Sequence, residues 1–148
     1  MAGIIQIRDN ERGFLTPTLK HLLAFFEQEG ANWIWSIQDL EATGEPEKLT
    51  VNVLDIEQQA KQSPQGFVLK SEALIELAQT LTDVWNAWIV AVRDGESIPK
   101  VIHSIEKLDQ YQAVIEVFDS SWWRIFAQDD AIIQKLADHF HDVTITHF

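Results

Sequence analysis

Three histidines and two aspartates crowd the last eleven residues, where His139, His141 and His147 lie with Asp138 and Asp142. Imidazole and carboxylate together are a ligand set that suits zinc or another divalent ion. The spacing argues against it, because residues two apart diverge by about 200° on a helix. We therefore treat His139 and His141 as weak metal candidates that favour the negative end of a helix, and predict no cofactor.

Glu116 is the carboxylate best placed for acid–base chemistry, because it lies between Val114 and Phe118 on one face of a predicted strand. A buried carboxyl group there would have a raised pKa unless it were paired. If the following loop spans Asp119–Ser121, Arg124 lies directly across the hairpin from Glu116. We favour this cross-strand ion pair over a catalytic role.

Glycine and cysteine usage excludes several kinds of active site. The six glycines are well separated, whereas a dinucleotide fingerprint, a phosphate-binding P-loop and a nucleophile elbow each need neighbouring glycines. The chain has no cysteine, which excludes disulfides, thiolate catalysis and cysteine-bound zinc. What remains is a binding protein or an enzyme built on histidine and carboxylate.

Tryptophan is unusually frequent and comes in pairs, which are Trp33/Trp35, Trp85/Trp88 and Trp122/Trp123. Tryptophan anchors both protein cores and the hot spots of binding surfaces. Trp33 and Trp35 share one face of a strand, which indicates core. Trp122 and Trp123 point to opposite faces, so both are buried only if both faces of the sheet are covered. An exposed member beside Arg124 would anchor a partner.

The net charge of −12, from 11 basic and 23 acidic residues, restricts the class of partner. A protein that binds nucleic acid or an anionic membrane needs clustered Lys and Arg, so we predict neither. The acidic residues of 39–57, set against Lys48 alone, are Asp39, Glu41, Glu45, Glu47, Asp55 and Glu57. This charge favours solubility, and it would also attract a basic protein.

The first residues lack the basic and apolar regions of a signal peptide, and no apolar run approaches the roughly 20 residues of a membrane span. We therefore expect a cytoplasmic protein.

The first half of the chain predicts a strand at 3–8 and then a helix. Thr16 is its expected N-cap, Pro17 its first residue and Gly30 its end. Alternation from residue 32 predicts a strand, which a turn at 43–46 would join to a returning strand at 49–56. A short helix at 56–62 and an extended piece at 66–70 follow.

The second half predicts a helix capped by Ser71 and then a strand at 84–92, for which a continued helix is the alternative. Pro99 is expected to open a third helix. A hairpin of 112–118 and 122–127, a helix capped by Asp129 and a strand at 143–147 complete the chain. This order indicates a single compact α+β domain, with a mixed or antiparallel sheet, hairpins and three to four packed helices.

Three functions are compatible with these observations. The first is an acidic, non-enzymatic module for a basic protein, such as an immunity or inhibitor protein for a basic toxin. The second is a small-ligand or metal-assisted enzyme that uses His139, His141 and Glu116. The third is a homodimeric structural subunit with a tryptophan face at its interface. For the first, the predicted binding residues are Trp122, Trp123, Arg124, Glu41, Glu45 and Glu47.

Overall fold

The computed structural model describes residues 2–11, 14–15, 17–44, 53–100 and 105–147. Within them the strands are β1 Gly3–Ile7, β2 Asn10–Glu11, β3 Phe14–Leu15, β4 Trp33–Gly44, β5 Phe67–Lys70, β6 Leu81–Arg93, β7 Ala113–Phe118, β8 Trp122–Ala127 and β9 Val143–His147. The α-helices are α1 Leu19–Leu23, α2 Val53–Gln62, α3 Ser71–Thr80 and α4 Asp130–His139. Two 3₁₀ helices span Ala24–Phe26 and Ile105–Gln110.

Seven of these strands form one sheet in the described part of the chain, in the order β5-β4-β6-β7-β8-β1-β9. Each neighbouring pair is antiparallel, and β2 and β3 form a separate small hairpin. With its four α-helices, this architecture confirms the predicted α+β class with an antiparallel sheet. None of the described helices has the length and apolarity needed to cross a membrane.

One face of the sheet carries the main core, and we call it the helix-covered face. A row of isoleucines in matching register crosses six strands, namely Ile37, Ile89, Ile115, Ile125, Ile5 and Ile145. β-branched side chains pack well on a pleated surface, which explains why these positions form strands. All but Ile145 are fully buried, under apolar residues of the four α-helices.

The opposite face, here called the second face, is covered only in part. A smaller core of Trp88, Val90, Val114 and Phe126 lies there under Leu108 and Tyr111. The covering segment is held by the Pro99 carbonyl, which accepts hydrogen bonds from Gln38 Nε2 and the Tyr111 hydroxyl, each at 2.7 Å. Lys100 Nζ also donates to the carbonyls of Ala60, Lys61 and Ser63 at the end of α2.

The first helix is shorter than predicted. Thr18, not Thr16, is its N-cap, because Thr18 Oγ1 accepts the N–H of His21 at 3.2 Å. Thr16 lies outside the described residues. The predicted apolar face of Leu19, Leu22, Leu23 and Phe26 is buried, and its last turn is 3₁₀.

The predicted returning strand at 49–56 is wrong over its described residues, because Val53–Gln62 is helical and β4 pairs with β5 and β6. Val53, Ile56 and Ala60 are buried at a helical spacing that the strand prediction ignored. Residues 45–52 lie outside the described part, as do residues 101–104 of the helix predicted from Pro99. In the described residues that follow, Ile105–Gln110 forms a 3₁₀ helix where the sequence predicted an α-helix.

Most of the second-half predictions are confirmed. β6 is a strand, not a continued helix, and it begins earlier than predicted, at Leu81. The β7–β8 hairpin and β9 occur as expected, and Asp129 caps α4 by accepting the N–H of Ala131 at 2.9 Å. Ser71 is the first residue of α3, and no side-chain hydrogen bond caps that helix.

Candidate functional site

The β7–β8 turn is held in an uncommon backbone conformation at the end of the sheet. Asp119 and Ser120 have φ angles of 49° and 55°, in the left-handed region that few residues other than glycine adopt. Ser120 N–H donates to the Trp85 carbonyl at 2.9 Å, and Asp119 N–H donates to Asn86 Oδ1 at 2.8 Å. Both bonds fasten the turn to β6, so its position is fixed by the sheet.

An acidic cleft, which we define by Asp83, Trp85, Asp119 and Trp123, opens beside this turn on the helix-covered face. It has a volume of about 420 Å³ and is bounded by residues of α1, α3, β3 and β6. Two carboxylates line it, and the lining residues that the structure describes include no Lys, Arg or His. The cleft therefore combines an aromatic wall with negative charge.

Trp85 is an exposed aromatic residue at an irregular point of the sheet. β4 and β6 shift register between Glu41 and Ala42, whose partners are Asn86 and Val84, so Trp85 has no pairing partner on β4. Such a bulge redirects side chains. The Trp85 side chain is 43% exposed, whereas Trp88 on the second face is fully buried.

Trp123 lines the base of the cleft and is 2% exposed. Its Nε1 donates a buried hydrogen bond to the Pro17 carbonyl at 3.0 Å, which joins β8 to the segment before α1. The indole N–H is thus hydrogen-bonded inside the protein, and the ring packs in the main core. The structure places the predicted binding residue Trp123 in the core, below the cleft.

The second face of the same hairpin carries an aromatic ledge, which we define as Phe118, Trp122 and Arg124. Phe118 is 53% exposed and stacks on the partly buried Trp122, with ring centroids 6.3 Å apart and an interplanar angle of 22°. The Arg124 guanidinium carbon lies 5.0 Å from the centroid of the Trp122 ring, a cation–π distance. The ledge is therefore an ordered apolar surface.

Glu116 and Arg124 form the predicted ion pair. The two residues are directly opposed in the β7–β8 register, and Arg124 Nη2 contacts Glu116 Oε1. The Glu116 side chain is 2% exposed, so the pair is buried at its acidic end. The same guanidinium group therefore contacts Glu116 and lies over the Trp122 ring.

The predicted acidic residues are only partly brought to this site. Glu41 is exposed and lies opposite Asn86 in the β4–β6 register. The Asn86 side chain accepts the hydrogen bond from the Asp119 N–H. It therefore lies beside the turn. Glu45 and Glu47 lie outside the described residues.

The C-terminal histidines do not form a shared ligand group. His139 contacts His21 of α1, with the two Nε2 atoms 3.1 Å apart. The His141 N–H donates to the Asp9 carboxylate, and His147 Nδ1 lies 2.9 Å from Asp130 Oδ1. No group of three or more His, Asp or Glu side chains suited to a metal occurs among the described residues.

The enzyme hypothesis also needed Glu116 close to the histidines. Glu116 alternates with the helix-covered positions Ile115 and Val117 and so lies on the second face. α4, which carries His139, packs on the helix-covered face through Ile132 and Ile133. The sheet therefore separates Glu116 from His139.

Sequence reasoning missed Asp83, Trp85 and Phe118 as surface residues. Alternation from the buried Ala87 and Ile89 puts Trp85 on the helix-covered side of the strand, yet Trp85 is 43% exposed beside the register shift. The available signal was polar context, because Thr82 and Asp83 lie three and two residues before Trp85 and are exposed near the start of the strand.

Comparison of the chain with protein-family models, with curated proteins and with solved structures gave no match.

Proposed function

We propose that this protein is a non-enzymatic, acidic module that binds a basic protein, in the manner of an immunity or inhibitor protein that covers a basic toxin. Its proposed binding site is the acidic cleft and the aromatic ledge together, which we call the turn surface. The observation that carries the proposal is that exposed aromatic rings and carboxylates meet at one fixed turn.

A lysine or arginine side chain of the partner suits the cleft. Asp83 and Asp119 supply carboxylate acceptors, and the Trp85 ring supplies a face for a cation–π contact. Because no basic side chain occurs among the described lining residues, this negative charge is available to a partner. These carboxylates would repel an anionic ligand, and a neutral ligand would lack the charge attraction that a cation gains.

The aromatic ledge supplies the apolar part of the contact. Phe118 and Trp122 present stacked rings, and aromatic residues are enriched at the centres of interfaces. Arg124 is already paired with Glu116, so it contributes its flat apolar surface more than its charge. Glu41 adds a further carboxylate beside the ledge.

The overall charge of −12 favours a basic partner over a second copy of the chain. Opposite charges steer encounter and raise association rates at low salt. A two-fold dimer through this surface would use the same patch on both subunits, so two acidic clefts would lie in one interface. Like-charge repulsion therefore argues against a homodimer through this surface.

Site-specific photo-crosslinking tests the proposal in the organism that makes the protein. A photoreactive phenylalanine is introduced at Phe118, and at Leu54, which is 69% exposed on α2 and serves as the control. We expect position 118 alone to capture one basic protein. Capture from both positions, or of an acidic protein, contradicts the proposal.

The captured protein then allows a charge-matched comparison of variants. Asp83→Asn/Asp119→Asn removes two negative charges at the turn surface, and Asp94→Asn/Glu96→Gln removes two beyond the opposite end of β6. We expect the first pair to slow association far more than the second. Trp85→Ala should raise Kd about 30-fold, the size of a 2 kcal/mol hot spot. Equal effects of the two double variants would show that only net charge matters.

A further inference from the structure

His21 and His139 form a pair that neither the turn surface nor the fold requires. His21 lies on α1 and His139 is the last residue of α4. Their Nε2 atoms are 3.1 Å apart, their rings are nearly perpendicular at 86°, and both residues are exposed. Two imidazole nitrogens from distant parts of the chain therefore converge at the protein surface.

The separation of the two nitrogens fits one metal ion between them. With bonds of about 2.0 to 2.1 Å, two nitrogens on a tetrahedral zinc ion lie about 3.3 Å apart. Two adjacent nitrogens of a square-planar copper or nickel site lie about 2.9 Å apart. The observed separation of 3.1 Å falls between these values, so the two nitrogens are already at a chelating distance from each other.

The surroundings restrict both rings. The Phe140 ring lies 5.3 Å from His21 and 4.9 Å from His139, and the Phe25 ring lies 5.4 Å from His139. These ring contacts hold the two imidazoles beside each other. Neutral imidazole is the form that binds metal.

We propose that His21 and His139 together bind one divalent transition-metal ion, Zn²⁺, Ni²⁺ or Cu²⁺, and thereby link α1 to α4. Water completes the coordination, since the described residues offer no group of three ligands. Two protein ligands make the site weaker than a closed structural zinc site. Cu²⁺ should bind most tightly, as the general order of divalent metal affinities requires.

Calorimetric titration with Zn²⁺, Ni²⁺ and Cu²⁺ separates this site from adventitious binding to the five histidines of the chain. We expect one saturable equivalent in the unmodified protein. His21→Ala and His139→Ala should each abolish it, whereas the matched controls His141→Ala and His147→Ala should retain it. Loss of binding in either control alone, or retention in His21→Ala, would overturn the proposal.

Ring ¹⁵N spectroscopy gives a second readout that does not depend on the variants. Without metal, a hydrogen bond between the rings requires a proton on one of the two Nε2 atoms. With Zn²⁺ bound, both Nε2 atoms must be unprotonated. Spectra of His21 and His139 that stay unchanged at saturating Zn²⁺ contradict the site, and simultaneous shifts of both nitrogens support it.

Discussion

The adjacent tryptophans Trp122 and Trp123 allow one substitution to be compared on the two faces of a single strand. Trp123→Phe removes the indole N–H that donates to the Pro17 carbonyl, and it shrinks a side chain that is 2% exposed. Trp122→Phe changes a partly buried ring that stacks on Phe118, and phenylalanine preserves that stacking. We expect a large loss of stability from the first and a small loss from the second.

The magnitude follows from two contributions. Leaving the buried Pro17 carbonyl without its donor costs about 1 to 3 kcal/mol. Phenylalanine is about 40 Å³ smaller than tryptophan, and at about 24 cal/mol per Å³ of cavity the void at Trp123 costs about 1 kcal/mol. Trp123→Phe should therefore lower the free energy of unfolding by about 2 to 4 kcal/mol. Trp122→Phe should lower it by about 0.5 kcal/mol or less.

Urea denaturation followed by far-ultraviolet circular dichroism measures both variants without relying on tryptophan fluorescence. The denaturant slope should stay constant, so the change in midpoint reports stability directly. Equal losses for the two variants, or a loss below about 1 kcal/mol for Trp123→Phe, would refute the assignment of Trp123 to the core.

Three further predictions follow from local geometry. Gly66→Ala should lower the free energy of unfolding by about 2 to 4 kcal/mol, because the φ of Gly66 is +78° and an added Cβ would lie 2.5 Å from Ser36 Oγ. Gly95→Ala should lower it by only about 1 kcal/mol, because Gly95 has a similar φ of +87° but open space around the added Cβ. A similar loss for both, in the same urea assay, would exclude the steric cause. The second prediction concerns pH, measured with EDTA present to keep metal away from the histidines. The pKa of His21 is lowered in the folded protein, so the unfolded chain takes up the proton first as the pH falls below 6.5. The free energy of unfolding should therefore decrease between pH 6.5 and the lowered pKa of the folded state. His21→Gln should remove this component of the pH profile, and an unchanged profile would contradict the pKa shift. Acrylamide quenching of the tryptophan fluorescence should decrease more in Trp85→Phe than in Trp123→Phe, because the Trp85 side chain is the more exposed of the two. The reverse order would show that Trp85 is not the exposed residue.

The sequence predicted the elements in which side-chain periodicity and local capping act together. The β7–β8 hairpin follows from alternation and a polar three-residue turn, and the Glu116–Arg124 pair follows from its register. α4 follows from Asp129 and the apolar spacing after it. These are short-range effects, which depend on residues close together in the chain.

The features that the sequence did not predict depend on contacts between distant segments. The bulge beside Trp85 depends on the pairing of β4 with β6, whose register shifts between Glu41 and Ala42. The approach of His21 to His139 depends on how α1 and α4 pack on one sheet face. No local sequence pattern predicts the register shift or the contact between the two histidines. The acidic cleft and the histidine pair were therefore found only in the structure.

The most direct test of the turn surface is to follow the six tryptophan indole N–H signals by NMR while a short arginine- and lysine-rich peptide is added. An acidic peptide of equal length is the control. We expect the Trp85 signal to shift with the basic peptide, while the signals of the buried Trp35 and Trp88 stay in place. Asp83→Asn/Asp119→Asn should remove the Trp85 shift. A Trp85 signal that stays still, or that shifts equally in the double variant, would show that the acidic cleft does not bind basic side chains.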